Sequence, residues 1–171
     1  MHDPVVYRDA EPGDASALAA LFHHTFCETF GHLYSAADLS TFLAGHTAAQ
    51  WEGQLRDPTI AVRLAEDDAA IGLAKLAPLK LPVEAPRPAV ELRQLYVLGR
   101  ARGSGVAATL MDWAIEQARA RGADDLYLSV YTDNPRAQRF YRRFGFVDVG
   151  PYMFMVGNHA DQDIIMRLSL S

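Results

Sequence analysis

The run Arg100-Ala101-Arg102-Gly103-Ser104-Gly105 sets two guanidinium groups beside two closely spaced glycines. Glycine lets a backbone approach a ligand, and free N–H groups at a helix start carry partial positive charge, so the chemistry on offer is the binding of a phosphate. Two elements must hold that run open. Glu91 to Leu98 roughly alternates polar and apolar residues and holds Tyr96 and Val97, which predicts a strand ended by Gly99. From Val106 onward, Leu110, Trp113, Ala114 and Ala118 recur at helical spacing, which predicts an amphipathic helix closing at Gly122.

Two classes of ligand use such a turn. Gly103-Ser104-Gly105-Val106-Ala107-Ala108 fits the dinucleotide fingerprint G-x-G-x-x-A, with Asp124 about twenty residues further on. In the dinucleotide fold, however, the acidic residue ends the second strand, whereas Asp124 and Asp125 precede the next apolar run, Leu126 to Tyr131. Arg100 and Arg102 at the head of the turn favour an open phosphate over a ribose diol.

A second chemical cluster follows. Leu126 to Tyr131 reads as a strand buried on both faces. Asp133-Asn134-Pro135 then starts a helix with Asn134 at the N-cap, and Ala137, Phe140, Tyr141 and Phe144 form its inner stripe up to Gly145. Tyr141 brings a phenol that stays protonated at neutral pH, its ordinary pKa being about 10. Arg136, Arg139, Arg142 and Arg143 make a basic face that reads as solvated. The histidines pair with no cysteine or carboxylate at ligand spacing, so no metal is expected. Cys27 stands alone, which excludes an internal disulfide, and is expected to be buried and inert.

The rest of the chain supplies scaffold. Val5 to Arg8 reads as a strand, and Asp14 as the N-cap of a helix with Leu18, Leu21, Phe22 and Phe26 on one face. Ser35 to Asp38 and Thr47 to Gln50 resemble capping boxes, predicting two short helices. Thr59 to Ala65 and Ala70 to Ala77 flank the turn Glu66-Asp67-Asp68 as a hairpin, and Phe146 to Tyr152 and Asp163 to Leu170 read as closing strands. That order predicts one α/β domain over residues 1–171, with a sheet of mixed direction. Lys+Arg 16 against Asp+Glu 21 gives a net charge of -5, which argues against nucleic acid and permits a cationic small substrate. The Met-His-Asp-Pro start lacks a leader pattern and no apolar run approaches membrane length, so no membrane partner and a cytoplasmic location are expected.

Together the two chemical segments resemble the signatures of the GCN5-related N-acetyltransferase (GNAT) superfamily. Its pyrophosphate loop reads Gln or Arg, two free positions, Gly, one free position, then Gly or Ala. That pattern is met from Arg102 to Ala107 and again from Arg100 to Gly105. The first register sets Arg102 five residues beyond Val97, the family spacing, although Ser104 stands where the family often has a basic residue. The second signature is Asn134, Ala137, Phe140-Tyr141 and Phe144-Gly145-Phe146. Glu28-Thr29-Phe30, Tyr96-Val97, Gly145-Phe146-Val147 and Asp163-Ile164-Ile165-Met166 are similar to the PaiA-type members, described as acting on polyamines.

The resemblance implies a GNAT fold, a mixed central β-sheet of about six to seven strands flanked by helices. It implies acetyl-CoA as co-substrate, held by Leu95, Tyr96 and Val97 and by Arg102, Gly103, Ser104, Gly105, Val106 and Ala107, with Asn134 on the pantetheine arm. It implies attack by a primary amine of a small molecule, a polyamine among the candidates, in a ternary complex. In those terms Tyr141, itself beside the coenzyme sulfur, protonates the departing thiolate, and Glu91 is the candidate base, sharing a strand side with Arg93 and Leu95. Glu28 and Tyr34 fall in the segment bordering the acceptor pocket, where Glu28 could hold an ammonium. A homodimer is the common family arrangement. A non-catalytic acyl-CoA sensor and a nucleotide oxidoreductase are the competing readings.

Overall fold

Seven strands pair in the order β1-β2-β3-β4-β5-β7-β6 in the computed structural model, which describes residues 4–171. They are β1 (Val6–Asp9), β2 (Ala61–Glu66), β3 (Ala70–Pro78), β4 (Ala89–Val97), β5 (Asp125–Tyr131), β6 (Val147–Val156) and β7 (His159–Ser169). Neighbours are antiparallel except β4 and β5, so the sheet is mixed, as expected. Helices α1 (Ala15–Phe30), α2 (Ala36–Ala44) and α3 (Ala48–Leu55) contribute to the core on one face, and α4 (Val106–Ala120) and α5 (Pro135–Phe144) to that on the other. The Met1-His2-Asp3 start lies outside the described residues.

Strand alternation divides the core in two. Leu73 packs with Leu18, Phe22 and Phe26 of α1 and Trp51 of α3, while its neighbour Ala74 packs with Leu110, Met111 and Ala114 of α4. Each large side chain so buried stabilises the fold by about 1.5–3 kcal/mol. The local signals mostly hold. Ser35 accepts from the Asp38 N–H at 3.1 Å, Thr47 and Gln50 close a reciprocal capping box, and Gly145 ends α5 at φ 102°. Asp14 differs from expectation. Its carboxylate accepts from the Glu11 N–H at 2.7 Å and from Arg8 at 2.8 Å, closing the turn before α1 instead of capping that helix.

One irregularity prepares the site. Gln94 pairs with Lys75 and Leu92 with Leu76, so β4 carries Arg93 as an extra residue in a bulge. Leu92 and Leu95 can therefore both face α4, while Tyr96 packs toward α1. The bulge corrects the expected alternation: Leu95 does not share a side with Glu91 and Arg93, whose Nε lies 3.9 Å from the Glu91 carboxylate. Below the bulge β4 pairs with β5 only over Ala89–Glu91, and beyond Glu91 the two strands part.

Candidate active site

The parting of β4 and β5 opens a cleft of about 780 Å³ whose lining draws on both faces of the sheet, Phe22 and Tyr34 from one and Gly103 and Tyr141 from the other. Leu95, Tyr96 and Val97 line it, paired to β3 along one edge and free of β5 along the other. That geometry leaves part of their main chain available to a ligand.

At one end lies the glycine turn. The Ala101 and Arg102 amides bond back to Leu98 and Gly99, and the first main-chain bond of α4 runs from the Thr109 N–H to the Gly105 carbonyl at 3.0 Å. Between them, the amides of Gly103, Ser104, Gly105, Val106, Ala107 and Ala108 find no main-chain acceptor among the described residues. Gly103 and Gly105 hold φ of 79° and 88°, and a Cβ at either would meet nothing within 4 Å. The turn is thus an open cradle of N–H groups at the positive end of α4, which fits a diphosphate. Ser104 turns its hydroxyl back onto the Ala101 carbonyl, and the Val106 side chain is buried in the core, so both offer the cradle their amides only. Arg100 is held by Asp67 at 2.8 and 3.1 Å, which leaves Arg102 as the arginine at the cleft and favours the register beginning there.

Glu28 is a correction. It does not line the cleft; its carboxylate accepts from the Gly99 N–H at 2.8 Å and lies 3.9 Å from Arg102, so it pins the turn rather than facing an acceptor. Arg102 also donates to the Thr29 hydroxyl at 2.8 Å. Asn134 lines the cleft and accepts from the Ala137 N–H at 3.2 Å, capping α5 as expected. The arginine face is not uniformly solvated: Arg142 pairs with Asp148 at 3.1 Å, whereas Arg136 and Arg143 line the cleft.

Midway, the Tyr141 ring stands edge-on to Phe140 and Phe146, with centroids 5.5 and 5.8 Å away. No hydrogen bond reaches its hydroxyl among the described residues, and burial pushes its pKa up to about 12. The phenol therefore holds its proton firmly until a strong base appears beside it. Tyr96 is raised by burial first, then by the neighbouring Tyr141 and Asp163. Glu91 lines the cleft but is otherwise engaged: one oxygen accepts from the Lys80 and Leu81 amides at 2.9 and 3.2 Å. Its visible role is to fasten the loop after β3.

The other end of the cleft is aromatic and charged. Tyr34 lines it, its ring stacked on Phe26 and its hydroxyl donated to Asp161, which also meets His159 at 3.1 Å. Residues that sequence reasoning left out complete this end. Lys75 is buried, 4.6 Å above the Trp51 ring and donating to the Gln54 side-chain amide oxygen at 2.6 Å; burial, then the charges of Arg93 and Lys80, bring its pKa down to about 8. Gln94 is buried with its side-chain oxygen unpartnered among the described residues. Asp163 is buried on β7. Lys75 did leave a signal, a charge inside an otherwise apolar strand, whereas Asp163 sits in the polar first half of β7. Cys27, expected to be buried, is exposed.

Residues 19–146 match the model of the acetyltransferase (GNAT) family, so the chain belongs to that family and is an N-acetyltransferase. The match displaces the dinucleotide reading of Gly103 to Ala108. Among its relatives, an uncharacterized N-acetyltransferase of Mycobacterium tuberculosis is 34% identical over 155 residues, spanning 90% of this chain and 96% of that one. The aminoalkylphosphonate N-acetyltransferase of Salmonella typhimurium is 30% identical over 140 residues, 81% of this chain and 82% of that one. The PaiA N-acetyltransferase of Thermoplasma acidophilum, solved in complex with coenzyme A, shares the fold with a TM-score of 0.78 at 18% identity, over 97% of this chain and 99% of that one.

Proposed function

We propose that this chain, acting as one domain in the cytoplasm, transfers the acetyl group of acetyl-CoA to a primary amine of a small molecule by direct attack in a ternary complex. The observation that carries this is a run of six amides, Gly103 to Ala108, without a main-chain acceptor among the described residues, four of them on the cleft-lining residues Gly103, Gly105, Ala107 and Ala108, in the same cleft as the unbonded phenol of Tyr141. The amides and Arg102 would take the diphosphate, Arg136 and Arg143 lie where further phosphate charge can be met, and Leu95 to Val97 with Asn134 would hold the pantetheine arm. The bound coenzyme supplies an activated thioester. Tyr141 then donates its proton to the departing sulfur, a task suited to a phenol kept protonated by burial.

Polyamines are the first acceptors to test, because Asp161 and Asp163 at the far end of the cleft suit a cationic chain. Lys75 favours a second reading, an aminoalkyl acid, since this buried ammonium has no carboxylate partner among the described residues and one relative is named for an aminoalkylphosphonate. A panel of spermidine, spermine, aminoalkylphosphonates and amino acids, followed by release of free coenzyme thiol, decides between them. Release with at least one amine is expected; none with any would return the chain to the sensor reading. Val147, Val149, Met153 and Met155 expose apolar surface on the edge strand β6, which supports a homodimer, and sedimentation at micromolar concentration is expected to give twice the chain mass.

A further inference from the structure

We infer that Asp163 takes the proton from the acceptor's ammonium, so that Asp163 and Tyr141 divide the proton transfers of the reaction between them. This rests on the acetyltransferase reading above.

Three carboxylates line the cleft, Glu91, Asp161 and Asp163. Glu91 is committed to the Lys80 and Leu81 amides, and Asp161 to Tyr34 and His159. Asp163 alone has neither a main-chain donor nor an ion pair among the described residues. It stands opposite Tyr131 of β5 and Tyr152 of β6, one strand removed from the gap where β4 and β5 have parted. Ile164 and Met166 turn to the core under α4, so Asp163 points the other way, with Asp161, toward the acceptor end.

The groups facing it are Tyr96 from β4, Ser129 and Tyr131 from β5, Tyr152 from β6 and Asp161 from its own strand; no cation is among them. Tyr96 feels both Tyr141 and Asp163, so the acid and the base both lie near that one phenol. Burial first, and then Asp161, raise the Asp163 carboxyl to about 6 against the opposing contact with Ser129. At neutral pH it is charged and ready to accept, with an affinity for the proton close to the operating pH.

The balance closes. The acceptor enters as an ammonium and gives one proton to Asp163. The freed lone pair bonds to the acetyl carbonyl carbon, the C–S bond breaks with its electrons on sulfur, and Tyr141 protonates that sulfur. The second nitrogen proton restores the phenol, and Asp163 returns its own to water. One amide, one thiol and one released proton result.

The test compares kcat/KM from pH 5 to 9 for the wild type, Asp163→Asn and Asp163→Glu with the fastest amine of the panel, alongside thermal stabilisation by coenzyme A. The wild-type rate is expected to fall as pH drops through about 6, the value to which burial raises the carboxyl. Asp163→Asn is expected to lose on the order of 10²–10⁴-fold in kcat/KM together with that acid limb, and Asp163→Glu to recover part of both. Coenzyme stabilisation should not change. A raised carboxyl favours the folded state only below its unfolded pKa and loses that favour as pH rises through about 6, so at pH 8 Asp163→Asn should melt no lower than the wild type. An Asn variant with wild-type rate or an intact acid limb overturns the inference. A wild type inert toward every amine yet stabilised by coenzyme overturns the acetyltransferase reading, and this assignment with it.

Discussion

The two ends of the cleft recognise their ligands by different means. The coenzyme end is main chain: six consecutive amides left unbonded by one turn, with glycines at Gly103 and Gly105 because only they hold φ near 80° cheaply. The acceptor end is side chain, drawn from α1, β3, β4 and β7, and the Tyr34 to Asp161 bond joins residues 127 apart. Main-chain recognition demands a fixed local spacing, whereas side-chain recognition can be assembled from anywhere. The first identifies a family; the second individualises a member.

That contrast can be broken most severely at the reaction centre. Tyr141→Phe is expected to lower kcat on the order of 10²–10⁴-fold while leaving coenzyme binding intact, since the hydroxyl makes no hydrogen bond among the described residues. A stopped assay of thiol release beside a thermal shift with coenzyme A separates the two effects. Gly105→Val comes next. A branched side chain at φ 88° is strained by roughly 1–2 kcal/mol and stands before the amides, so coenzyme affinity should fall about tenfold or more while acceptor preference stays.

Lys75→Met sharpens the other end. The KM of an acidic acceptor should rise about tenfold and that of spermidine should not. In the wild type the same advantage should fade as pH climbs through about 8, where Lys75 loses its proton, and the Met variant should show no such fading. The smallest effect belongs to Ser104→Ala. Its hydroxyl serves the Ala101 carbonyl, so coenzyme affinity measured by calorimetry should move less than about threefold, under roughly 1 kcal/mol.

Legibility follows the same division. Gly103, Gly105, Asn134 and Gly145 are readable because each answers a local backbone demand, and the closing strands are readable from alternation, although β6 runs on to Val156 and β7 begins at His159. The Arg93 bulge was not, because it depends on pairing with β3, and without it Leu95 was set on the wrong side of its strand. Glu28 was misplaced for a related reason. Its position in α1 gave its neighbours in sequence and concealed the Gly99 amide, 71 residues away. Lys75 offers a hint in the form of a charge within an apolar strand, but a hint of burial says nothing of what lies across the cleft, and Asp163, in the polar first half of β7, offers none.

The central claim is that unoccupied amides of the glycine turn hold the coenzyme and so set the orientation of everything after it. Titrating coenzyme A into ¹⁵N-labelled protein tests this directly. The amide resonances of Gly103, Ser104, Gly105, Val106, Ala107 and Ala108 should move downfield together with saturation, and pantetheine, which lacks the diphosphate, should leave them in place. Saturable binding of coenzyme A with those resonances unmoved would contradict it.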